Sequence, residues 1–197
     1  MLNRLTEVTA PADLALDLGE VKRALRITDS DEDTYLQDLI REATEFLEAR
    51  TGRQLVDATY DQIFDNFVGA FKLWLLKPPL KSVVSINYQD ENDVTQLLAT
   101  TVYEVVTTYT PGFIRLKENQ VWPSTRSHPD SVTVQFIAGY GTAADVPYRF
   151  RQAIKLYVAH RYENREPYVL DPGLTLPVEL PMGLQALVTQ LSVRGVG

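Results

Sequence analysis

The hydrophobic positions of the first quarter of the chain follow a helical repeat. Three apolar residues of "DLGEVKRALRI" fall on one face: Leu18, Val21 and Leu25. A longer stripe follows, at three-and-four spacing: Leu36, Leu39, Ile40, Ala43, Phe46 and Leu47. Asp17 is a suitable N-cap for the first helix, and Gly52 is typical of the end of the second. The pattern predicts two helices, with the acidic run "TDSDED" at 28–33 capping the second.

The repeat then shortens to alternating runs separated by turn residues, from about residue 56 to residue 138. The predicted strands are "ATYDQIFDNF", "AFKLWLL", "SVVSINY", "VTQLL", "TVYEVVTT", "FIRL" and "SVTVQFIAGY". Thr110-Pro111-Gly112 indicates a hairpin between two of them. The glycines of "GYG" at 139–141 are expected to let the chain turn tightly out of the last strand.

Helical spacing returns at Pro147, a residue that suits a first helical turn. The predicted buried stripe of this helix is Phe150, Ala153, Ile154, Tyr157 and Val158. Pro167 is expected to end the helix. The remaining chain is rich in proline and is predicted to be broken and extended, until a short helix over "LQALVTQL".

These elements predict an α+β fold: a small α-helical bundle with a long antiparallel β-rich insertion and an extended C-terminal arm. The expected organisation is a flexible leader (1–16), a helical core (17–55 and 142–166), the β-rich insertion (56–141) and the arm (167–197).

Composition narrows the classes of function. The formal net charge is −7, which argues against generic binding to nucleic acid. The chain has no cysteine, so disulfides, zinc–thiolate sites and cysteine nucleophiles are ruled out. No signal peptide is visible, and the longest apolar cluster, "LWLL", is too short to span a bilayer. The prediction is a soluble protein made in the cytoplasm, without membrane contact.

The candidates for chemistry are weak. His128 and His160 have neither a ligand-spaced partner nor a nucleophile motif, and both are expected to be surface or rim residues. The acidic run imitates a calcium loop but has Thr34 and Ile40 where the loop needs glycine and glutamate. "GYG" lacks the lysine of a phosphate cradle. We therefore predict no catalytic residue, metal or cofactor, with a carboxylate-dependent hydrolase kept as an alternative.

The helix after Pro147 carries the strongest signal of binding. Its arginines and lysine, interleaved with tyrosines, are typical of interface hot spots, although a solvated outer face would look similar. The arm is the second signal, because it is too apolar for a solvated linker. Its host could be its own domain, a neighbouring copy or another protein. The candidate partner-binding residues are Arg149, Arg151, Lys155, Arg161, Tyr162, Arg165, Leu184, Leu187, Val188 and Leu191.

Several stretches, taken in order, resemble the head–tail connector (adaptor) proteins of long-tailed phages and phage-derived gene-transfer particles. They are "DLGEVKRALRITDSDEDTYLQDLIREATEFLEARTGRQL", "LKPPLKSVVSINYQDENDVTQLL", "VWPSTRSHPDSVTVQFIAGYG" and "VPYRFRQAIKLYVAHRYENRE". The resemblance covers about residues 13–166. It implies a helical bundle with a β-rich insertion and no enzymatic activity.

The resemblance also implies the partners. Such proteins form a ring, normally dodecameric, beneath the portal of a DNA-filled head, extend the DNA channel and dock stopper and tail proteins. DNA would pass through without sequence-specific binding, and the segment after Pro167 would reach the portal. The expected location is the head–tail junction of a virion or phage-like particle assembled in the bacterial cytoplasm. A host protein-binding module remains a further alternative.

A ring needs two different patches on each subunit that meet around a closed circle. The acidic first two helices and the basic third helix are candidate complementary patches for that seam. Charge pairing there would set register more than affinity.

Overall fold

The computed structural model describes residues 4–67, 71–165, 168–171, 174–177 and 181–193. The chain divides into two compact units, and each is formed by separate stretches of sequence. The β-rich unit contains Met1–Ala12 and Asp57–Tyr140, and the helical unit contains Asp13–Val56 and Gly141–Gly197. The predicted α+β class is confirmed, with four helices and antiparallel sheets in the described residues.

The β-rich unit contains, in chain order, β1 (Arg4–Thr9), β2 (Ala58–Phe64), β3 (Leu73–Trp74), β4 (Leu80–Gln89), β5 (Thr95–Leu97), β6 (Tyr103–Val106), β7 (Phe113–Leu116) and β8 (Val132–Ala138). One sheet has the order β1-β2-β8-β4-β5 and the other β3-β7-β6. Strands β2 and β8 pair antiparallel from Ala58↔Ala138 to Phe64↔Val132. The predicted hairpin is β6–β7, with Val106 opposite Phe113.

Strict alternation explains why β2 and β8 form the centre of the larger sheet. Every second residue of each strand is buried and the residues between are half-buried. The apolar members of this buried set form one cluster with Leu73 and Ile114 of the smaller sheet and with Leu75, which follows β3. The turn out of β8 uses the conformational freedom expected of its glycines, since φ is 137° at Gly139 and 127° at Gly141.

The leader differs from the prediction. Residues 4–9 form β1, which pairs antiparallel with β2 at the edge of the larger sheet. All but one of its residues are exposed. The prediction of a flexible leader is therefore wrong for these residues. Only Leu5 of this strand packs against the apolar cluster, and a single inward side chain does not give the apolar alternation that identifies a strand in a sequence.

The helical unit contains α1 (Leu18–Leu25), α2 (Asp33–Thr51), α3 (Tyr148–Glu163) and α4 (Met182–Leu191). Asp17 caps α1 as predicted, because its side chain accepts a hydrogen bond from the Glu20 N–H. Gly52 ends α2 in the left-handed conformation at φ 68°. The predicted apolar stripe of α3 is buried throughout, and so are Leu36, Leu39, Ile40, Ala43 and Leu47 of α2.

The acidic run does not cap α2 with a side chain. The N-cap residue is Glu32, and it makes no capping hydrogen bond to the helix. Its carboxylate is used instead by residues of α3, as described below. The helix α3 ends at Glu163, and Pro167 lies outside the described residues.

The arm contains a two-stranded antiparallel pair, β9 (Tyr168–Asp171) and β10 (Leu174–Pro177), before α4. The short helix predicted for the arm is present as α4, which begins two residues before Leu184. The side chains of β9 and β10 lie outside the described residues.

Candidate partner-binding surface

Three glutamates join α3 to the two preceding helices. The first is Glu20 of α1, whose carboxylate lies 2.8 Å from Lys155 Nζ and 3.3 Å from Arg151 Nη1. The hydrogen bond from Lys155 is the main reason why the pKa of Glu20 lies below its usual value. Because Arg151 and Lys155 are one helical turn apart, a single carboxylate binds both.

The second glutamate is Glu42 of α2. Tyr157 donates its hydroxyl to Glu42 Oε1 at 2.8 Å. Arg161 forms an ion pair with the same oxygen at 3.3 Å, although its Nε is not aligned for a hydrogen bond. Burial, followed by the bond to Glu42, raises the pKa of Tyr157 to about 12. The ring of Tyr157 also packs against Phe46, with centroids 5.1 Å apart.

The third glutamate is Glu32, at the start of α2. It accepts hydrogen bonds from the Tyr162 hydroxyl and the Arg165 guanidinium. The guanidinium carbon of Arg165 lies 4.9 Å from the Tyr35 ring centroid and 5.0 Å from that of Tyr162. The bond from Tyr162, followed by that from Arg165, lowers the pKa of Glu32.

These contacts account for most of the cations that the sequence marked as partner-binding. Arg151, Lys155, Arg161 and Arg165 all pair with glutamates of their own subunit. The charge complementarity of the acidic and basic helices is therefore used within the subunit for these four residues, and their role in binding a partner stays a prediction. Arg149 differs, since it is exposed and has no ion pair among the described residues.

The sequence contained a signal for this arrangement. Apart from Arg149, the cations of this region occur in two pairs four residues apart, at 151 and 155 within α3 and at 161 and 165, where α3 ends. Such pairs lie on one helix face. Glu20, Glu32 and Glu42 were not singled out from the sequence, because carboxylates are abundant and nothing in the spacing says which helix covers them.

The helix α4 of the arm packs on the helical unit of its own subunit. Leu184 is fully buried, and Leu187, Val188 and Leu191 are half-buried. The end of α4 is fixed to the end of α2 by three hydrogen bonds: Val193 N to Thr51 O at 2.9 Å, Arg53 Nε to Leu191 O at 3.0 Å, and Ser192 Oγ to Arg50 O at 3.2 Å. Of the three hosts left open for the arm, the subunit itself holds α4.

The contact between α4 and α2 leaves a cavity of about 310 Å³. It is lined by Phe46, Arg50, Leu184, Gln185, Val188 and Thr189. The Arg50 guanidinium carbon lies 5.5 Å from the Phe46 ring centroid. Apolar and polar side chains therefore both line this cavity of the helical unit.

The weaker chemical candidates have local partners. His160 Nδ1 lies 3.5 Å from Asn164 Nδ2, and His128 Nδ1 lies 3.0 Å from the Pro129 carbonyl. Among the described residues, no group of three or more histidine, aspartate or glutamate side chains could hold a metal ion. In the same part of the chain, no helix has the length and apolarity needed to cross a bilayer.

Residues 15–109 match the family model of the phage gp6-like head-tail connector protein. This match confirms the family recognised from the sequence, that of the head–tail connector proteins, which are structural proteins and not enzymes. The alternative of a carboxylate-dependent hydrolase has no support. Among curated proteins, none matches the chain significantly.

The fold is similar to that of three solved chains. One, in a structure described as "Neck of empty GTA particle computed with C6 symmetry", has a TM-score of 0.78 at 23% identity and is covered to 98%, as is this chain. The neck of a native GTA particle computed with C12 symmetry gives 0.75 at 23%, again with 98% of each chain. A chain of the native gene transfer agent virion gives 0.75 at 24%, with 100% of this chain and 98% of the other.

Proposed function

We propose that this protein is the structural adaptor at the head–tail junction of a phage-like particle assembled in the bacterial cytoplasm. Copies of the chain form a ring beneath the portal, extend the DNA channel and dock the stopper and tail proteins. The observation that carries the proposal is the match of residues 15–109 to the connector model, since this stretch includes α1, α2 and the strands from β2 to β6.

The ring is proposed to be dodecameric. One similar chain comes from a neck with C12 symmetry, and its fold extends over 98% of this chain. Identity of that order supports a shared fold. The copy number is our extension of that likeness, and it is consistent with the closed cyclic symmetry that a channel requires.

Portal binding is proposed to use the arm together with the nearby surface of the helical unit. Leu184 is buried and holds α4 in place, whereas Leu187, Val188 and Leu191 keep part of their surface exposed. Arg149, whose charge is exposed, stays a candidate partner-binding residue without an assigned place in the portal contact. Arg151, Lys155, Arg161, Tyr162 and Arg165 would act indirectly, by fixing the helices that carry these surfaces.

Passage of DNA without sequence-specific binding is consistent with the net charge of −7. A lumen that carries negative charge repels the DNA backbone and does not retain it.

Native mass spectrometry of the purified portal mixed with the full chain tests the proposal. We expect a complex that contains one ring of this chain per portal ring. Deletion of residues 167–197 should abolish the complex, while circular dichroism checks that α1 to α3 remain folded. Full binding after the deletion would refute the role of the arm. Absence of any complex with portal or tail components would refute the adaptor and favour a host protein-binding module.

A further inference from the structure

One face of α3 carries exposed side chains that take no part in the ion pairs within the subunit. Tyr148 is 65% exposed and Leu156 is 41% exposed. Arg149 is exposed beside them and forms no ion pair within the described residues. Because Arg149 and Leu156 are seven residues apart, they lie on the same side of the helix, and Tyr148 adjoins them. We call these three residues the α3 face.

The acidic run between α1 and α2 contains both paired and unpaired carboxylates. Asp33 pairs with Lys22 at 2.6 Å, and Glu32 binds Tyr162 and Arg165. Asp29 and Asp31 remain exposed and form no ion pair within the described residues. The Asp31 N–H approaches Asp29 Oδ1 at 3.4 Å, so both side chains belong to one turn. We call Asp29 and Asp31 the acidic turn.

Tyr148 and Arg149 of the α3 face lie at the opposite end of α3 from the acidic turn, and Leu156 lies near the middle of that helix. Arg161 of α3 contacts Glu42 of α2, and Arg165, further along, contacts Glu32, at the start of α2. The two helices therefore run antiparallel. The acidic turn precedes α2 and so lies near the end of α3, whereas Tyr148 and Arg149 begin that helix. A helix of sixteen residues is about 24 Å long at about 1.5 Å per residue.

We propose that the α3 face of one copy binds the acidic turn of the next copy around the ring. This contact rests on the proposed function, because it supplies the seam that a ring requires. Two different patches of opposite charge, at different places on one unit, bind head to tail. Two copies of the same patch carry like charges and repel each other, so a two-fold dimer through either patch is disfavoured.

The chemistry of the α3 face fits a contact of this kind. A guanidinium facing two carboxylates forms short, charge-assisted hydrogen bonds. Tyrosine and arginine are the side chains most enriched where interfaces derive their energy, and Leu156 adds apolar area. The complementary charges occur on the same chain, which favours a second copy as the occupant over a foreign protein. The charge pairing then sets the register of the ring.

Cross-linking tests the contact directly, because the chain has no cysteine of its own. Ser30→Cys lies in the acidic turn, and Gln152→Cys lies on α3 between Arg149 and Leu156. Mixed and oxidised, the two single-cysteine chains should form a disulfide-linked heterodimer in several-fold excess over either chain alone. The matched control replaces Gln152→Cys by Val121→Cys, an exposed position of the β-rich unit. A yield no higher than the control would overturn the proposal.

Charge reversal gives a second, independent readout. Arg149→Glu gives one chain two acidic patches, and Asp29→Lys with Asp31→Lys gives another chain two basic patches. Each variant alone should lose self-association by about tenfold or more. An equimolar mixture should recover it, with the two chains alternating, because every contact is again between opposite charges. No recovery in the mixture would overturn the proposal. Lys117→Glu, on the β-rich unit, controls for net charge and should leave self-association unchanged.

The ring seam and the adaptor role can be refuted separately. Portal binding without the Ser30–Gln152 cross-link would overturn this seam and leave the adaptor role intact. The cross-link without portal binding would support the seam and refute the adaptor role.

Discussion

The two units of this protein are stabilised differently around their apolar interiors. In the β-rich unit, buried residues of both sheets form one continuous cluster, and several ion pairs lie at the surface, such as Arg4–Asp130. In the helical unit, most ion pairs of the described residues join different helices, and Arg41–Asp38, on the surface of α2, does not. Glu20 and its partners Arg151 and Lys155 are each only about a quarter exposed. The interhelical pairs therefore contribute to the arrangement of α3 and not only to the solvated surface.

The difference has a physical consequence. An apolar core responds to lost volume, because interiors are close-packed. Partly buried ion pairs respond instead to pH and to lost partners, because each carboxylate holds two groups at once. We therefore expect the β-rich unit to be most sensitive to truncation, and the stability of the helical unit to depend more strongly on its ion pairs.

The largest effect should come from Phe136→Ala. Phe136 is fully buried at the centre of β8 and packs against Tyr60, with ring centroids 6.0 Å apart. Truncation of a buried phenylalanine costs about 3–5 kcal/mol of unfolding free energy. Urea denaturation measures the loss. Val121→Ala is the control, since Val121 is 80% exposed and its truncation should change stability by less than about 0.5 kcal/mol. A loss below about 1 kcal/mol for Phe136→Ala would remove the contrast between the units.

A smaller effect is expected from added volume at Gly112. A Cβ there would lie 2.7 Å from Leu80 Cβ and 3.1 Å from the Val106 carbonyl oxygen, neither of which belongs to a flexible side-chain end. Gly112→Ala should therefore cost about 1–3 kcal/mol. Gly183→Ala in α4 is the matched control, because no atom lies within 4 Å of its Cβ position. There alanine should be neutral or stabilising by up to about 1 kcal/mol. Equal changes in the free energy of unfolding at the two glycines would contradict the close packing inferred around Gly112.

The helical unit should reveal its charge dependence through Glu20→Gln. Loss of the bonds to Lys155 and Arg151 should cost about 0.5–1 kcal/mol at neutral pH, after allowance for solvent screening. The folded-state pKa of Glu20 is lowered, so its contribution is present above the unfolded value of 4.5 and is lost as pH falls through the folded value. The gap between wild type and variant should close in acid. A gap that stays constant down to acidic pH would show that the carboxylate charge does not matter.

The same contrast explains what the sequence could reveal. Period-2 alternation identified β2 and β8, and helical spacing identified α1 to α3, because each of these elements has one buried face. The strand β4 was predicted as well, although its burial does not alternate strictly. The edge strand β1 has no buried face and was missed. The strand β3 is only two residues long, although "AFKLWLL" predicted more, because the prolines at 78 and 79 leave little length for pairing.

The candidate surface was predicted only in part. Composition identified α3 as the basic, tyrosine-rich helix. It could not show that four of its cations are paired internally, because that depends on how α3 packs against α1 and α2. The host of α4 could not be predicted either. Its apolar residues indicate that α4 needs a surface to pack against. Hydrogen bonds to the backbone of Arg50 and Thr51 fix it to the end of α2.

The smallest effect, and the most local test of the charged interior of the helical unit, is the ionisation of Tyr157. Its pKa is raised to about 12, first by burial and then by the bond to Glu42. The difference in tyrosinate absorbance between wild type and Tyr157→Phe isolates this titration. Glu42→Gln should lower the pKa but leave it above the usual value of 10.0, because burial, the larger cause, persists. The stability that Tyr157 derives from this shift is present below pH about 10 and is lost as pH rises through the folded value. A Tyr157 that titrates at its ordinary pKa in wild type would show that α2 and α3 are not closed over its hydroxyl. The contact between α2 and α3 would then be more solvated than the ion pairs around it indicate.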